Sequence, residues 1–554
     1  MKKTLLLGLA ASALLLVNSC SGGSSVSETY QGEDRFTYSS SGCPQVKVNE
    51  GVLEGTLESG LKIFRGIPFA APPVGDLRWK APQSVTPWTG VREAKKFGDD
   101  PMQGNPFGDM GFNAEKKSED CLYLNIWTPA KNSSDGLPSV IYFNGGGLYA
   151  GSGSEPRYAG EAMAREGIIS ITANYREGIF GFFAHPELSA ETSYGGSGNW
   201  GFLDQTAAIK WVHDNIAAFG GDPSRITIVG ESAGSMSVSA QIASPLTKGL
   251  FSKAMASSGS VTTGTIPTQE EADAQGVALL ERIGVSSIAE ARAMDADELM
   301  AKANINGVPT YNVDGYFFPE QPSEIFAAGK QQKVPLLVGR NSAEMTPMMF
   351  LRGQAPTLEN VRPVLAATFG DKVDEAMELY GFKSDEDVLG KPGVDYASDM
   401  FIAYSTWKFG YIHAKTSGQP VYRYYFAKPR PRMVMQGVVA ALAGGVQKAD
   451  DSAPAVQQGF NGAVHSADIE YAMGTLPTNR VYDWQPDDYA VSAQFLSFYA
   501  NFIKTGNPNG LGLPDWHPIG GKEFPPQMII DVDSHEVVDE TFEKRNLFLM
   551  EFMH

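Results

Sequence analysis

The chain has 554 residues, 42% of them hydrophobic and 19% charged, and a net charge of -19 at pH 7. Beyond its first residues no run of lysine or arginine interrupts this acidity, which excludes nucleic acid as an expected partner and assigns the charge to solubility. No internal repeat and no clear linker follow residue 45. One large domain with insertions is therefore expected, although length alone suggests three or four domains.

The N-terminus predicts export. Lys2 and Lys3 precede an apolar segment, residues 5–17, that is too short to span a bilayer as a mature helix. Residues 1–19 thus form a predicted signal peptide. Because Cys20 directly follows a small residue, Ser19, at its end, the segment resembles a bacterial lipoprotein signal, although Asn18 is a less usual neighbour, and Cys20 would carry the lipid. We expect a membrane-anchored protein facing the periplasm or the cell surface, and simple secretion is the alternative.

A flexible tether is predicted over residues 20–44, because residues 21–41 are rich in serine and glycine and poor in apolar residues. The folded domain is expected over residues 45–554. Three cysteines are present. If Cys20 carries lipid, Cys43 and Cys121 either form a disulfide or stay two unrelated thiols.

The first part of the domain predicts strands at one edge of a sheet. Residues 46–64 alternate in polarity and contain three glycine turn signals, which favours an antiparallel hairpin or meander. Residues 65–75 are rich in proline and glycine and predict an ordered loop. Residues 95–118 are polar and predict a surface loop, and a strand pattern returns at residues 120–127.

A glycine-rich loop follows the next buried strand. The apolar run at residues 140–143 stops at Asn144, and three glycines, Gly145, Gly146 and Gly147, come directly after it. Such a loop leaves backbone N–H groups open to a ligand, and an apolar strand leading into it favours a binding site over an ordinary flexible turn.

Strands and helices then alternate along the chain. Residues 168–173 predict a buried strand, and residues 202–219 predict a helix whose apolar positions Ala208, Val212 and Ile216 are spaced by four. This alternation implies a mostly parallel sheet that is covered on both faces.

The next strand, residues 226–229, leads into the pattern G-x-S-x-G at Gly230–Gly234, and a helix pattern follows. A strand, a sharp turn at Ser232 and a helix predict a nucleophile elbow, in which the serine hydroxyl stands above the sheet edge. The N–H of Ala233 would then face a developing oxyanion. An ordinary strand-to-loop turn is the alternative for these five residues taken alone.

Two further loops carry ionisable side chains. The buried strand at residues 336–339 is followed by a loop with Glu344, and another strand is predicted at residues 421–426. His465 lies in a loop before a helix that runs through Met473. Because both residues follow Ser232 in the chain, they satisfy the order serine, acid, histidine.

These motifs together resemble the type-B carboxylesterases, in the cholinesterase-like branch of the α/β-hydrolases, over residues 46–554. The motifs that carry the resemblance are RGIPFA at 65–70, SEDCLYLN at 118–125, NGGG at 144–147, NIAAFGGDP at 215–223 and GESAG at 230–234. The resemblance implies an α/β-hydrolase fold with a large, mostly parallel central sheet, helices on both faces and an antiparallel N-terminal edge. It also implies hydrolysis of small-molecule carboxylic esters without a metal or cofactor.

The resemblance assigns the site residues. The catalytic residues would be Ser232 as nucleophile, His465 as base and Glu344 as the acid in the motif G-x-N-x-x-E, and the oxyanion hole would comprise Gly146, Gly147 and Ala233. The rival acid is Asp399, which fits a structural role on a helix better. Five of the remaining histidines are less suitable, because they precede the serine, lie on a predicted helix or surface turn, or end the chain: His185, His213, His413, His517 and His554. The family pattern favours His465 over His535.

Other carboxylates near the motifs are assigned supporting roles. In similar proteins the residues matching Glu119 and Asp204 form buried ion pairs, which implies pairs with Arg78 and Arg176 here. Glu231, next to the nucleophile, would tune the field at the site.

The chain also departs from the family pattern. Asn144 replaces the usual histidine, Ala343 and Met345 flank the acid in place of the common Asp and Gly, and Pro347 and Met348 stand at two aromatic positions. The loop that supplies a choline-binding tryptophan in cholinesterases contains no tryptophan here, so choline esters are not expected as the main substrate. A soft apolar pocket wall is one hypothesis for four residues, and core packing is the other: Met345, Met348, Met349 and Phe350.

Two other functions are compatible with the sequence. A non-catalytic cholinesterase-like binding module would have the same fold, although such proteins lose triad residues that are all present here. A lipase or peptidase could use the same triad, because leaving-group preference depends on pocket shape.

Overall fold

The computed structural model of the chain describes residues 36–553, with gaps at 105–106, 108–109, 305–310, 435–436, 441–445 and 449–461. The predicted signal peptide, Cys20 and His554 lie outside the described residues. Within the described ranges, no helix combines the length and the apolar character needed to cross a membrane.

Short strands dominate the N-terminal part, and longer buried strands follow. The strands are β1 (Phe36–Tyr38), β2 (Pro44–Val48), β3 (Gly51–Glu54), β4 (Thr56–Glu58), β5 (Leu61–Pro68), β6 (Val91–Glu93), β7 (Asp100–Pro101), β8 (Lys117–Ser118), β9 (Tyr123–Thr128), β10 (Leu137–Phe143), β11 (Ile169–Ala173), β12 (Gly221–Glu231), β13 (Lys253–Ser257), β14 (Leu336–Asn341), β15 (Val421–Phe426), β16 (Val438–Ala440), β17 (Val446–Lys448), β18 (Pro526–Ile530) and β19 (His535–Val538).

Helices occupy the connections between the long strands. They are α1 (Glu161–Arg165), α2 (Gly178–Gly181), α3 (Pro186–Glu191), α4 (Trp200–Asn215), α5 (Ala233–Ala243), α6 (Gln269–Ile283), α7 (Ile288–Ala293), α8 (Ala296–Ala303), α9 (Pro322–Ala327), α10 (Met348–Leu351), α11 (Leu358–Phe369), α12 (Val373–Tyr380), α13 (Lys391–Ser398), α14 (Tyr404–Ser417), α15 (Ile469–Met473), α16 (Pro486–Thr505) and α17 (Glu540–Leu549). A π-helical turn, Asp399–Ala403, joins α13 to α14.

The central sheet has eleven strands in the order β19-β18-β15-β14-β13-β12-β10-β11-β9-β5-β4. From β18 to β11 neighbouring strands run parallel, and β9, β5 and β4 continue the sheet antiparallel. This arrangement confirms the predicted α/β-hydrolase sheet and its antiparallel N-terminal edge. The far edge is antiparallel too, because β18 and β19 form a hairpin there.

The domain starts earlier than the sequence predicts. Strand β1 lies within the predicted tether, yet it pairs with β2 in the register Phe36 to Val46. Phe36 is buried and its ring lies 4.6 Å from Nζ of Lys62. The tether prediction is therefore wrong for Phe36–Tyr38, because one buried aromatic side chain secures this strand to the domain.

Both faces of the parallel sheet are buried. Along β10, Val140 and Tyr142 pack into one hydrophobic cluster, while Ile141 and Phe143 pack into the other. This alternation follows from the two-residue period of a strand. Helix α16 covers the face of Val140 and Tyr142, and helices α4 and α5 cover the face of Ile141 and Phe143. With both faces covered, a site can form in the loops at the carboxyl ends of the strands.

Two ion pairs, one buried and one partly buried, support the loops at that edge. Arg176 donates to Asp204 through Nε (2.7 Å), Nη2 (2.8 Å) and its backbone N–H (3.0 Å), and Arg78 donates to Glu119 through Nε (2.6 Å) and Nη2 (2.5 Å). These are the pairs that the family resemblance implies. Cys121, in contrast, is a buried free thiol, so the disulfide with Cys43 does not form.

We expect the substitution D204A to lower the free energy of unfolding by about 3–5 kcal/mol, because the Arg176 guanidinium would stay buried without its counter-charge. Urea unfolding followed by fluorescence measures the change. The matched control is K96A, which removes the exposed Lys96–Glu115 pair and should unfold at the wild-type midpoint. A D204A protein with the wild-type midpoint would contradict this role for the pair.

Candidate active site

Ser232 lies on a sharp turn between β12 and α5. Its backbone has φ 57° and ψ -122°, a conformation that non-glycine residues rarely adopt. The turn requires glycine on both sides: a Cβ at Gly230 would lie 2.3 Å from the carbonyl of Gly234, and a Cβ at Gly234 would lie 2.1 Å from the carbonyl oxygen of Phe143. Close backbone packing therefore fixes the strained serine at the sheet edge.

The glycine loop after β10 lies against this turn. A Cβ at Gly145 would approach Cβ of Ser232 to 3.1 Å. The carbonyl of Gly146 accepts hydrogen bonds from the N–H groups of Tyr149 and Ala150, both at 3.1 Å. Since the C=O and N–H of a trans peptide point in opposite directions, the N–H of Gly147 points away from those residues.

The three N–H groups predicted for the oxyanion hole are available. In the part of the chain that the structure describes, no hydrogen bond occupies the N–H of Gly146, Gly147 or Ala233. All three residues line one cavity together with Ser232. Unpaired backbone donors beside a strained serine are suited to bind an anionic oxygen.

Glu344 follows β14 and contacts the histidine ring. Its Oε2 lies 2.6 Å from Nδ1 of His465, while Oε1 accepts hydrogen bonds from Oγ of Ser258 (2.5 Å) and the N–H of Asn341 (2.6 Å). The carboxyl group is fully enclosed, with 1% of the residue exposed. These donors hold the carboxylate in one orientation, which in turn orients the imidazole.

The loop that carries His465 is joined to the loop that carries Glu344. Ala343 and Val464 form an isolated β-bridge, and the backbone N–H of Ala463 donates to Oγ of Ser342 at 2.7 Å. Phe401, from the π-helical turn, places its ring edge-on to the imidazole with a centroid distance of 5.1 Å. The two loops thus hold the acid and the histidine as one unit.

Glu231 contacts the same histidine from the other side. Its Oε1 lies 3.3 Å from Nε2 of His465. Burial raises the pKa of Glu231 to about 8, even though the charge of His465 opposes this rise. Burial alone would lower the pKa of His465, but Glu231 and the hydrogen-bonded Glu344 outweigh it and raise that pKa to about 9. The sequence predicted only a diffuse effect for Glu231.

The serine opens into a cavity of about 710 Å³. Its apolar wall comprises Phe107, Met110, Tyr149, Met236, Tyr311, Met400, Phe401, Ile402, Tyr404 and Met553. A methionine wall is present, but residues other than the four hypothesised ones form it, and the core-packing alternative holds for Met348 and Phe350. Met348 and Phe350 pack with a hydrophobic cluster instead, Met349 is exposed, and Met345 is absent from the lining.

The competing candidates have other partners. Asp399 reaches the cavity wall but pairs with Arg545 (2.7 Å) and accepts a hydrogen bond from Tyr380 (3.0 Å). His413 is buried against the carbonyl of Val334. His517 is an exposed partner of Glu536, and His535 is exposed as well. Across the described ranges, no cluster of three or more His, Cys, Asp or Glu could hold a metal ion.

The parallel sheet, the strained serine turn and the loop-borne acid and histidine define an α/β-hydrolase. The family model of the Carboxylesterase family matches residues 42–549, so the chain belongs to this family. It is a carboxylic ester hydrolase, as the resemblance predicts.

Relatives support this membership along most of the chain. The para-nitrobenzyl esterase of Bacillus subtilis (strain 168) is 31% identical over 528 residues, which cover 90% of this chain and 97% of that protein. The fumonisin B1 esterase of Sphingopyxis macrogoltabida is 40% identical over 348 residues, 61% of this chain and 63% of that protein. A solved structure of a PNB esterase has a TM-score of 0.74 at 28% identity and covers 91% of this chain and 99% of its own.

Proposed function

We propose that the protein hydrolyses esters through a Ser232–His465–Glu344 triad and an acyl-enzyme. The observation that carries this proposal is the 2.6 Å contact between Glu344 and Nδ1 of His465, a residue that lines the same cavity as Ser232. The chain order serine, acid, histidine also agrees with this class of hydrolase.

The mechanism follows from the geometry. His465 takes the proton of the Ser232 hydroxyl as the oxygen attacks the ester carbonyl, and Glu344 holds the tautomer and stabilises the imidazolium. The N–H groups of Gly146, Gly147 and Ala233 bind the oxyanion, and each donor of this kind contributes about 3 kcal/mol. His465 then protonates the leaving alcohol, and water attacks the acyl-enzyme to release the acid.

We propose esters with a bulky apolar group as the substrate class. The cavity wall is aromatic and methionine-rich, and methionine adapts to ligands of different shape. No tryptophan is among its described lining residues, which supports the expectation that choline esters are not the main substrate.

The substitution S232A should abolish hydrolysis of p-nitrophenyl esters, because it removes the attacking oxygen. The measurement is a panel from acetate to palmitate, together with covalent labelling by a fluorophosphonate. A matched control is S235A in the first turn of α5, where the Ser235 hydroxyl donates to the carbonyl of Gly259. Activity that persists in S232A would refute the elbow assignment. A wild type that neither hydrolyses the esters nor is labelled would favour the binding module. Activity confined to the palmitate ester would favour a lipase, and activity confined to amides would favour a peptidase.

The pH dependence should reveal the two carboxylates beside His465. The base works only when neutral, so a raised pKa means that kcat/KM increases with pH through a midpoint above the ordinary 6.5. The substitution E231Q removes one negative charge facing Nε2, and we expect the midpoint to fall by about one pH unit or more. Steady-state pH profiles measure this shift, and the exposed substitution E115Q serves as the control. An unchanged midpoint in E231Q would show that Glu231 does not act on the ring.

We also propose that the protein is exported and anchored by a lipid on Cys20, on the basis of the leader pattern at residues 1–19. Expressed in a bacterial host, the wild type should incorporate labelled palmitate and sediment with membranes. The substitution C20S should lose both properties, whereas the neighbouring S21A should retain them. Equal fractionation of C20S and wild type would exclude the anchor.

A further inference from the structure

One short segment after β11, residues 175–178, holds both ends of the glycine loop. The hydroxyl of Tyr175 donates to the carbonyl of Asn144 (2.9 Å), and the N–H of Gly178 donates to the carbonyl of Leu148 (2.7 Å). Between them, Oε1 of Glu177 accepts a hydrogen bond from Nδ2 of Asn144 at 3.0 Å. The loop is therefore tied to this segment at three points.

The side-chain amide of Asn144, which contacts Glu177, also contacts the backbone of the glycine loop. Its Nδ2 also donates to the carbonyl of Gly145 at 3.0 Å. The carbonyl of Gly145 and the N–H of Gly146 belong to one trans peptide group. Because that carbonyl is turned toward the Asn144 side chain, the N–H of Gly146 points in the opposite direction. Gly151 leaves room for the amide, because a Cβ there would lie 1.9 Å from Nδ2 of Asn144. One side-chain contact thus determines the direction of an oxyanion donor.

The carboxyl group of Glu177 is enclosed, with no exposed surface. It borders a small cavity of about 10 Å³, and its Oε2 has no hydrogen-bond partner within the described structure. The ionisable groups that face it are Tyr175, Cys121, Arg176, Arg78 and Glu119.

Both of these cations already have partners, since Arg176 pairs with Asp204 and Arg78 with Glu119. An ionised Glu177 would be a buried charge without compensation. Burial accordingly raises the pKa of Glu177 well above its ordinary value, although the hydrogen bond from Asn144 opposes the rise.

We propose that Glu177 is a positioning residue for oxyanion binding: in its neutral form it orients the Asn144 amide, which fixes the Gly145 carbonyl and aims the Gly146 N–H at the oxyanion. This role rests on the proposed triad mechanism. Ionisation of Glu177 would place a negative charge behind the loop, and that charge would repel the oxyanion.

The test compares E177M, which retains side-chain volume without an acceptor, with E177Q, which retains the acceptor and cannot ionise. We expect E177M to lower kcat about 10²-fold, the effect of losing one oxyanion donor, while KM changes less than about twofold. E177Q should retain kcat within about threefold at pH 7, which is the rescue expected if the acceptor matters. At alkaline pH the wild type should lose kcat, and E177Q should lose less.

The control for neutralising a buried carboxyl elsewhere is D314N. Asp314 is buried and accepts the N–H groups of Tyr316 and Phe318, but it does not line the active-site cavity. This variant should change stability without lowering kcat. A wild-type kcat in E177M would overturn the proposal. The proposal would also be overturned if E177Q lost as much kcat as E177M and if the alkaline pH profiles of kcat were identical for E177Q and the wild type.

Fluorophosphonate labelling separates this proposal from the triad mechanism. Full end-point labelling of E177M at a reduced rate would show a folded protein with an intact nucleophile and a weakened oxyanion site. A wild type that neither labels nor hydrolyses esters would overturn the triad and the positioning role together. A wild type that labels, with E177M labelling at the same rate, would overturn the positioning role alone.

Discussion

The candidate active site depends on how closely three pieces of backbone approach each other at Ser232. Strand β12, helix α5 and the end of β10 meet where a Cβ at Gly230 or Gly234 would lie less than 2.5 Å from a carbonyl group. That contact keeps the serine at φ 57° and presents its side chain to the cavity. The strain is local, and the surrounding buried sheet maintains it.

The rest of the site extends this arrangement with hydrogen bonds that aim polar groups. Backbone and hydroxyl donors orient Glu344, a β-bridge joins its loop to that of His465, and the segment at residues 175–178 holds the glycine loop. Each of these loops either follows the carboxyl end of a strand of the sheet or packs against a loop that follows such a strand end. Rigid strands thereby give flexible loop backbones a defined geometry, which catalysis by prearranged dipoles requires.

Buried acids differ in how the fold treats their charge. Asp204 has a guanidinium, Glu344 has two donors and the imidazole, and Asp468 receives hydrogen bonds from Tyr424 and Asn341. Glu231 and Glu177 lack an arginine partner, and burial raises the pKa of both. Both carboxyl groups contact a residue of the proposed site, His465 for Glu231 and Asn144 for Glu177, so their ionisation can follow the state of that site.

The family resemblance assigned Glu344 and His465 as acid and base. Local patterns in the sequence were enough for the alternating strands and helices and for the serine turn with its two glycines. These are properties of neighbouring residues, so periodicity and turn chemistry reveal them. Only the tertiary structure decided that Phe36 joins a strand to the domain, that Met110, Met236, Met400 and Met553 share one wall, and that Glu231 and Glu177 contact His465 and Asn144. Such contacts join residues that are far apart in the chain, or they depend on the direction of a side chain at a sharp turn. The periodicity of polar and apolar residues along the sequence reveals neither of these.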